Sequence, residues 1–501
     1  MTSPDDTKDP SPGLITAPAD LDPGLILRIA AGEGVQIAPA LLAAVDRQAA
    51  AAREVLRRGD PVYGVNTGMG ALVGVRLSEG EQVAHQRNLM LARATGGPPW
   101  LNAAEVRAIV AVRLRTFLSG DSGVSAGLCQ RLAALLGAGI VPAVPRTGVG
   151  CAGEIIPLAH AFGPLAGIGL VLSRSGQTVP ASEVLRSSGL GEFGLGPKEG
   201  LALLAGVPGA TALTLMRLAE ARALGSAMEA AAALSIAAAG ASRDPYSHAC
   251  ARGDDILAGV LGRLRAVIGD QPEPRALQAP VSFRVAGPVL TQVLRAGDAL
   301  AAATERALAG VTDSPAFLDG KFVGTAGFHG IDLTAHCDQL TAALSHAAEV
   351  STARLHRLLD AKVTGLPAQL AARPGPDAGL VAVHKRAAGE IHALRRLAIP
   401  ASVGLIETSG GQEDVQSFAW EAAETLRAAL RHARVVTACE LLAAYQACSL
   451  SQRSAPAGCW ALLARLTEII GPIGADRPFG QDIERLLREY DGLFLDQDLE
   501  V

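Results

Sequence analysis

From Pro208 to Ala241, apolar and small residues recur at helical spacing, with no proline after Pro208. A helix of that length is roughly 50 Å long at 1.5 Å per residue. Only a fold with other elements of comparable length can cover it. The sequence supplies them: the helical period returns over 288–310, 331–361, 377–397, 412–450 and 456–470. Shorter helices are predicted over 38–58, 79–94, 103–118 and 124–138, with Asn102 as the N-cap of the third. Strand signals are few and short, as at 177–179 and 321–323. The reading is a mainly α protein built on long antiparallel helices. Composition agrees: apolar residues make up 49% but aromatics only 3%, so the core must come from Ala, Leu and Val, which suit helices.

Charge and cysteine usage exclude several classes. The net charge is −5 and no basic block stands out, so nucleic acid is not an expected partner. The most apolar windows, 155–172 and 226–240, are interrupted by Pro157, His160 and Pro164 and by Glu229, and read as buried core helices rather than membrane spans. Seven dispersed cysteines without a C-x-x-C pair fit reduced thiols and a cytoplasmic location. No His, Cys, Asp and Glu set has metal-ligand spacing; His329 with His336-Cys337 comes nearest. Residues 1–24 are rich in Pro, Asp, Ser and Thr, lack the basic and apolar regions of a signal peptide, and read as a disordered leader. An N-terminal domain over 25–200 and a helical bundle over 201–501 are expected to follow.

The segment 140–153 carries two prolines and three glycines and must be irregular. Its end, Gly148-Val149-Gly150-Cys151-Ala152-Gly153, fits G-x-G-x-x-G literally. A dinucleotide site also needs a strand before the glycines and a helix opening directly after them. Pro142 and Pro145 spoil the strand and Pro157 interrupts the helix, so the nucleotide reading fails.

Other short segments occur in a distinctive order. They are Tyr63-Gly64-Val65-Asn66-Thr67-Gly68-Met69-Gly70, Gln86-Arg87-Asn88-Leu89, Lys198-Glu199-Gly200-Leu201-Ala202-Leu203, Ser282-Phe283-Arg284, Thr312-Asp313-Ser314-Pro315, Gly327-Phe328-His329-Gly330 and Gln412-Glu413-Asp414. Together they resemble the histidine/phenylalanine/tyrosine ammonia-lyase and aminomutase family from about residue 35 to 490. That resemblance implies an ammonia-lyase/fumarase-like bundle, a homotetramer whose active sites draw loops from several subunits, and a small carboxylate-bearing substrate. It implies Tyr63 as the base that removes the β-proton, Arg284 as a two-pronged clamp on the carboxylate, and Glu413 at the pocket as an amine contact or proton shuttle. Gly70, Arg93, Ala205, Gln278, Val281, Phe328 and His384 are the implied pocket residues.

The departures carry equal weight. In the family an Ala-Ser-Gly triplet cyclises and loses two waters to form a methylidene-imidazolone electrophile. Here the triplet is Cys151-Ala152-Gly153, and Ala152 has no hydroxyl to lose. Ala205 stands where the family has asparagine, Val281 where it has tyrosine, and Arg93 where it has histidine. His384 and Ala393 replace Gln and Glu of a histidine lyase. Arg93 thereby puts a fixed positive charge where the family keeps a titratable group, suiting a second anionic group or an oxyanion. Cys151 is a candidate thiolate nucleophile or a small buried residue, and a shifted cyclisation of Gly150-Cys151-Ala152 with loss of hydrogen sulfide is a further route to the electrophile. The expectation is a lyase-type enzyme without the methylidene-imidazolone. The alternatives are a non-catalytic subunit assembling with an active relative, and an ammonia-lyase with an atypically formed cofactor.

Overall fold

The computed structural model describes residues 13–149, 152–269, 273–404 and 406–494. The long helices form where the period places them: Pro208–Ala239, Ala286–Ala309, Ile331–Leu358, Val381–Leu397 and Ala419–Leu450. The shorter ones span Pro39–Arg57, Glu79–Arg93, Ala103–Leu118 and Ala126–Gly137. Asn102 caps its helix as expected: its side chain accepts from the Glu105 N–H at 2.9 Å, and the Glu105 carboxylate accepts from the Asn102 N–H at 2.9 Å. Strands are confined to two or three residues each, Lys321–Val323 among them.

Several boundaries differ from the sequence reading: the helix expected over 377–397 begins at Val381, the one over 456–470 at Trp460, and two larger differences bear on the site and the N-terminus. The helix expected from 412 begins at Ala419. Phe418 has φ of +55°, which a right-handed helix cannot hold, and residues 412–418 form a loop instead. Part of the expected leader is structured. Gly13–Ile15 pairs in parallel with Val35–Ile37, and Asp22 caps the helix Pro23–Ala31 by accepting from Leu25 N–H at 2.7 Å. Its polar average hid two apolar anchors, Ile15 and Leu21, both fully buried. Residues 1–12 of that leader lie outside the described residues.

The chain folds as two compact units. One draws on Met1–Met216, Ala301–Ala335 and Ala401–Glu424, the other on Arg217–Leu300, His336–Pro400 and Thr425–Val501. Most of these boundaries fall inside the long helices, so no single cut near residue 200 separates them. In the first unit Arg107 ties three segments together. Its guanidinium donates to the carbonyls of Ile29 at 2.6 Å, Leu136 at 2.8 Å and Glu33 at 2.7 Å. Ile29 and Leu136 lie in the last turns of their helices, where carbonyls lack partners within the helix. In the second unit Glu440 is fully buried and receives Ser235 Oγ at 2.8 Å and Arg354 Nε at 2.6 Å. Ser351 donates to the same carboxylate.

The stretch Glu199–Ala239 is long and apolar enough to cross a membrane by length and composition, but 94% of its most apolar window is buried within the protein. It is a core element rather than an exposed span.

Candidate active site

The first unit contains a cavity of about 440 Å³. The loop 59–74 forms one wall, and its motif residues explain themselves locally. Asn66 accepts from Val62 N–H at 2.7 Å and donates to the Asp60 carbonyl at 2.7 Å, closing the turn. Gly64 has φ of +66° and lies against Leu201, which a Cβ would meet at 3.0 Å. Gln86 then locks the loop to the helix Glu199–Leu204, donating to the Gly64 carbonyl at 3.2 Å and accepting from Leu201 N–H at 2.9 Å. Gly200 permits that approach, since a Cβ there would sit 2.3 Å from the Gln86 carbonyl oxygen.

This frame points Tyr63 into the cavity, with its hydroxyl oxygen accepting from the Gly70 N–H at 2.8 Å. Glu413 and Gln412 line the same cavity from the loop that replaced the start of the expected helix. Glu413 accepts from Thr408 Oγ1 at 2.7 Å. Arg93, in the last turn of its helix, is half-buried beside them. One guanidinium nitrogen meets Met69 Sδ at 3.5 Å, and its Nε is buried without a hydrogen-bond partner among the described residues. Burial pushes the Arg93 guanidinium down, and the charges of Tyr63 and Glu413 act against that. The arginine is therefore close enough to feel Tyr63 and Glu413, and Asp414 also lines the cavity.

Ala152, Gly153, Ile155, Leu201, Leu204 and Ala205 line the cavity with hydrocarbon or hydrogen only. The Ala205 carbonyl is occupied from below, accepting from Arg113, which is fully buried and packs over the rings of Phe117 and Phe162. Burial pulls Arg113 down to about 10. Glu154, next to Gly153, accepts from Gly209 N–H at 2.6 Å and Ala210 N–H at 2.5 Å at the start of the long helix. Burial raises its carboxyl to about 8, opposed by those two N–H groups and by Arg113. Lys198 and Asp313 form a buried pair at 2.8 Å, so the lysine of the K-E-G-L-A-L run is structural. Glu199 of the same run accepts from Ser125 Oγ at 2.6 Å and Gly196 N–H at 2.7 Å.

Of the residues singled out from the sequence, Tyr63, Ala152, Gly153, Ala205, Phe328 and Glu413 line this cavity, and Arg93 adjoins it. Gly70 supports Tyr63 from its backbone. Cys151 lies outside the described residues. Gln278, Val281, Arg284 and His384 belong to the second unit and do not line the cavity. There Arg284 donates to Gln278 Oε1 at 3.2 Å, and Val281 is 57% exposed. His384 stacks on His356 with ring centroids 4.6 Å apart, in a shallow groove of about 210 Å³. Sequence reasoning missed Arg113 and Glu154. Their signal was a charge within an otherwise apolar run and a carboxylate directly after the triplet. Among the described residues no group of three or more His, Cys, Asp and Glu side chains is placed to hold a metal ion. The residues at the triplet do not fit a methylidene-imidazolone made by the usual dehydration, because the side chain at 152 is a methyl group.

The model of the family described as aromatic amino acid lyase matches residues 21–468. The chain belongs to the aromatic amino acid lyase family. A histidine ammonia-lyase of Shewanella pealeana is 33% identical over 490 residues, covering 94% of this chain and 95% of that one. A histidine ammonia-lyase of Streptomyces coelicolor is 35% identical, covering 90% of this chain and 91% of its own. Among solved structures, tyrosine aminomutase from Streptomyces globisporus superposes with a TM-score of 0.89 at 27% identity, covering 97% of this chain and 98% of that one. The ergothioneine-degrading ergothionase of Treponema denticola has the same fold, with a TM-score of 0.90 at 24% identity, covering 97% of this chain and 100% of its own. This member of the family thus shares its helical fold along nearly its whole length.

Proposed function

We propose that this aromatic amino acid lyase family member works without a methylidene-imidazolone. In this reading it performs acid/base elimination, addition or cyclisation on a small, carboxylate-bearing, amino-acid-derived substrate. One observation carries it: the cavity keeps Tyr63 and Glu413, while Ala152 and Ala205 take the places of the electrophile's serine and of its supporting asparagine. The Tyr63 oxygen, which accepts the Gly70 N–H, is the general base. Direct loss of ammonia from an ordinary amino acid is not expected, because its β-proton is barely acidic without covalent activation. Purified protein should leave histidine, phenylalanine and tyrosine unchanged; robust formation of the conjugated acid from any of them would defeat the reading.

We further propose a homotetramer in the cytoplasm, in which Arg284 and Gln278 of one copy serve the cavity of another. Supporting this, Leu277 is 95% and Val281 57% exposed beside them, and the Arg284 Nε is buried without a partner among the described residues. A second reading, an ammonia-lyase that forms its electrophile by an atypical route, draws support from 33% identity to a histidine ammonia-lyase over 94% of the chain. The mass of the intact protein separates the two.

A further inference from the structure

We infer that Tyr246 is a positioning residue for Arg284: one phenolic oxygen brackets the turn that carries the arginine and fixes where its guanidinium stands. The inference rests on the reading above, in which Arg284 grips a carboxylate. Arg284 follows the short turn Val281–Phe283, and the helix Ala286–Ala309 starts two residues after it. Tyr246 is fully buried beside them. Its hydroxyl donates to the carbonyl of Phe283, the residue before Arg284, and the same oxygen accepts from the Ala286 N–H. The first N–H groups of a helix have no partner within it, and this bond satisfies one of them. The chain from 283 to 286 is thereby held at both ends by a single atom, with Arg284 between.

Other contacts stiffen the same mount. Phe283 is itself fully buried. Arg354 donates to the Ser282 carbonyl at 3.4 Å while its other two nitrogens hold Glu440 at 2.6 and 2.9 Å. Gly287 lies flush on the helix Asp255–Ile268, where a Cβ would meet Leu261 at 2.5 Å. Burial pushes the Tyr246 phenol up, against the Arg354 charge and the Ala286 N–H, so it keeps the proton it donates. The segment just before is of a different kind: residues 273–278 are all exposed. Gln278, the partner of Arg284 at 3.2 Å, belongs to that segment and gives the guanidinium no comparable anchor. The backbone must therefore aim the side chain. A guanidinium fork grips a carboxylate through two parallel bonds, and a displacement of about 1 Å is enough to lose that geometry.

The test uses the full-length protein, with the conjugated acids of histidine, phenylalanine and tyrosine as probes, each beside its primary amide. Calorimetric titration gives the affinities. The amide keeps the shape of the acid and lacks the charge that Arg284 would grip. Tyr246→Phe is expected to weaken the best-bound acid by about 10- to 100-fold while its amide stays within about twofold, and Arg284→Gln should do the same. A residue that serves stability alone moves acid and amide together or moves neither, and either result for Tyr246→Phe overturns the inference. An effect of Arg284→Gln without one of Tyr246→Phe removes this inference alone. No effect of Arg284→Gln, or no acid bound by the natural protein, removes the carboxylate reading and the inference with it. Hydrogen exchange on the natural protein needs no variant to fold. The Ala286 amide should exchange at least about 100-fold more slowly than an unbonded one, and free exchange there overturns the bracket.

Discussion

Replacing Tyr63 by phenylalanine deletes one oxygen whose hydrogen bond within the chain is to the Gly70 N–H. If that oxygen is the base, activity on the true substrate should fall by about 100- to 10,000-fold, while stability drops by only about 1 kcal/mol. Assay and thermal melting of the same preparation separate the two effects; a variant with ordinary activity would remove Tyr63 from the reaction. Glu154 makes a prediction of opposite character. Burial raises its carboxyl to about 8 from the ordinary 4.5, so the folded protein prefers the protonated form. The stability this confers is fully present below the unfolded value and is lost as pH rises toward 8. Glu154→Gln fixes the neutral form. Its melting temperature should therefore decline less than that of the natural protein between about pH 5 and pH 8, and equal slopes would contradict the assignment.

At the scale of elements, the helix Glu199–Leu204 and the loop 59–74 hold the site because glycines let backbone meet backbone. Gly200→Ala would improve intrinsic helix propensity, yet its Cβ would fall 2.3 Å from the Gln86 carbonyl oxygen. Destabilisation of about 1–3 kcal/mol is expected by chemical denaturation, with activity lost as the Tyr63 loop shifts; a stabilised variant would show that Gln86 does not fix the loop. In the second unit, Arg354→Ala leaves Glu440 buried with its strongest partner gone, and a cost of about 3–5 kcal/mol is expected in the same measurement. The long helices were legible because a 3.6-residue period repeated over twenty or more residues has no competing reading. The start at Ala419 was not legible. The positive φ at Phe418 is carried by a residue type with no preference for it, so nothing in the sequence marks it, and residues 412–418 form the loop that carries Glu413.

Across the whole molecule, the sequence motifs marked the residues of the cavity without saying which unit each belongs to. Tyr63, Ala152, Ala205, Phe328 and Glu413 gather in one unit, whereas Gln278, Val281, Arg284 and His384 belong to the other. Motif order along the chain carries no information about such partition, nor did it expose Arg113 beneath the cavity. Light scattering on the purified protein should give the mass of four chains, and a monomer that retained full activity would exclude a shared site. The central claim concerns Ala152, and the intact mass of the natural protein tests it most directly. The account predicts the mass of the unmodified chain. A deficit of two waters, or of one water and one hydrogen sulfide, would show that an electrophile forms after all and would contradict it.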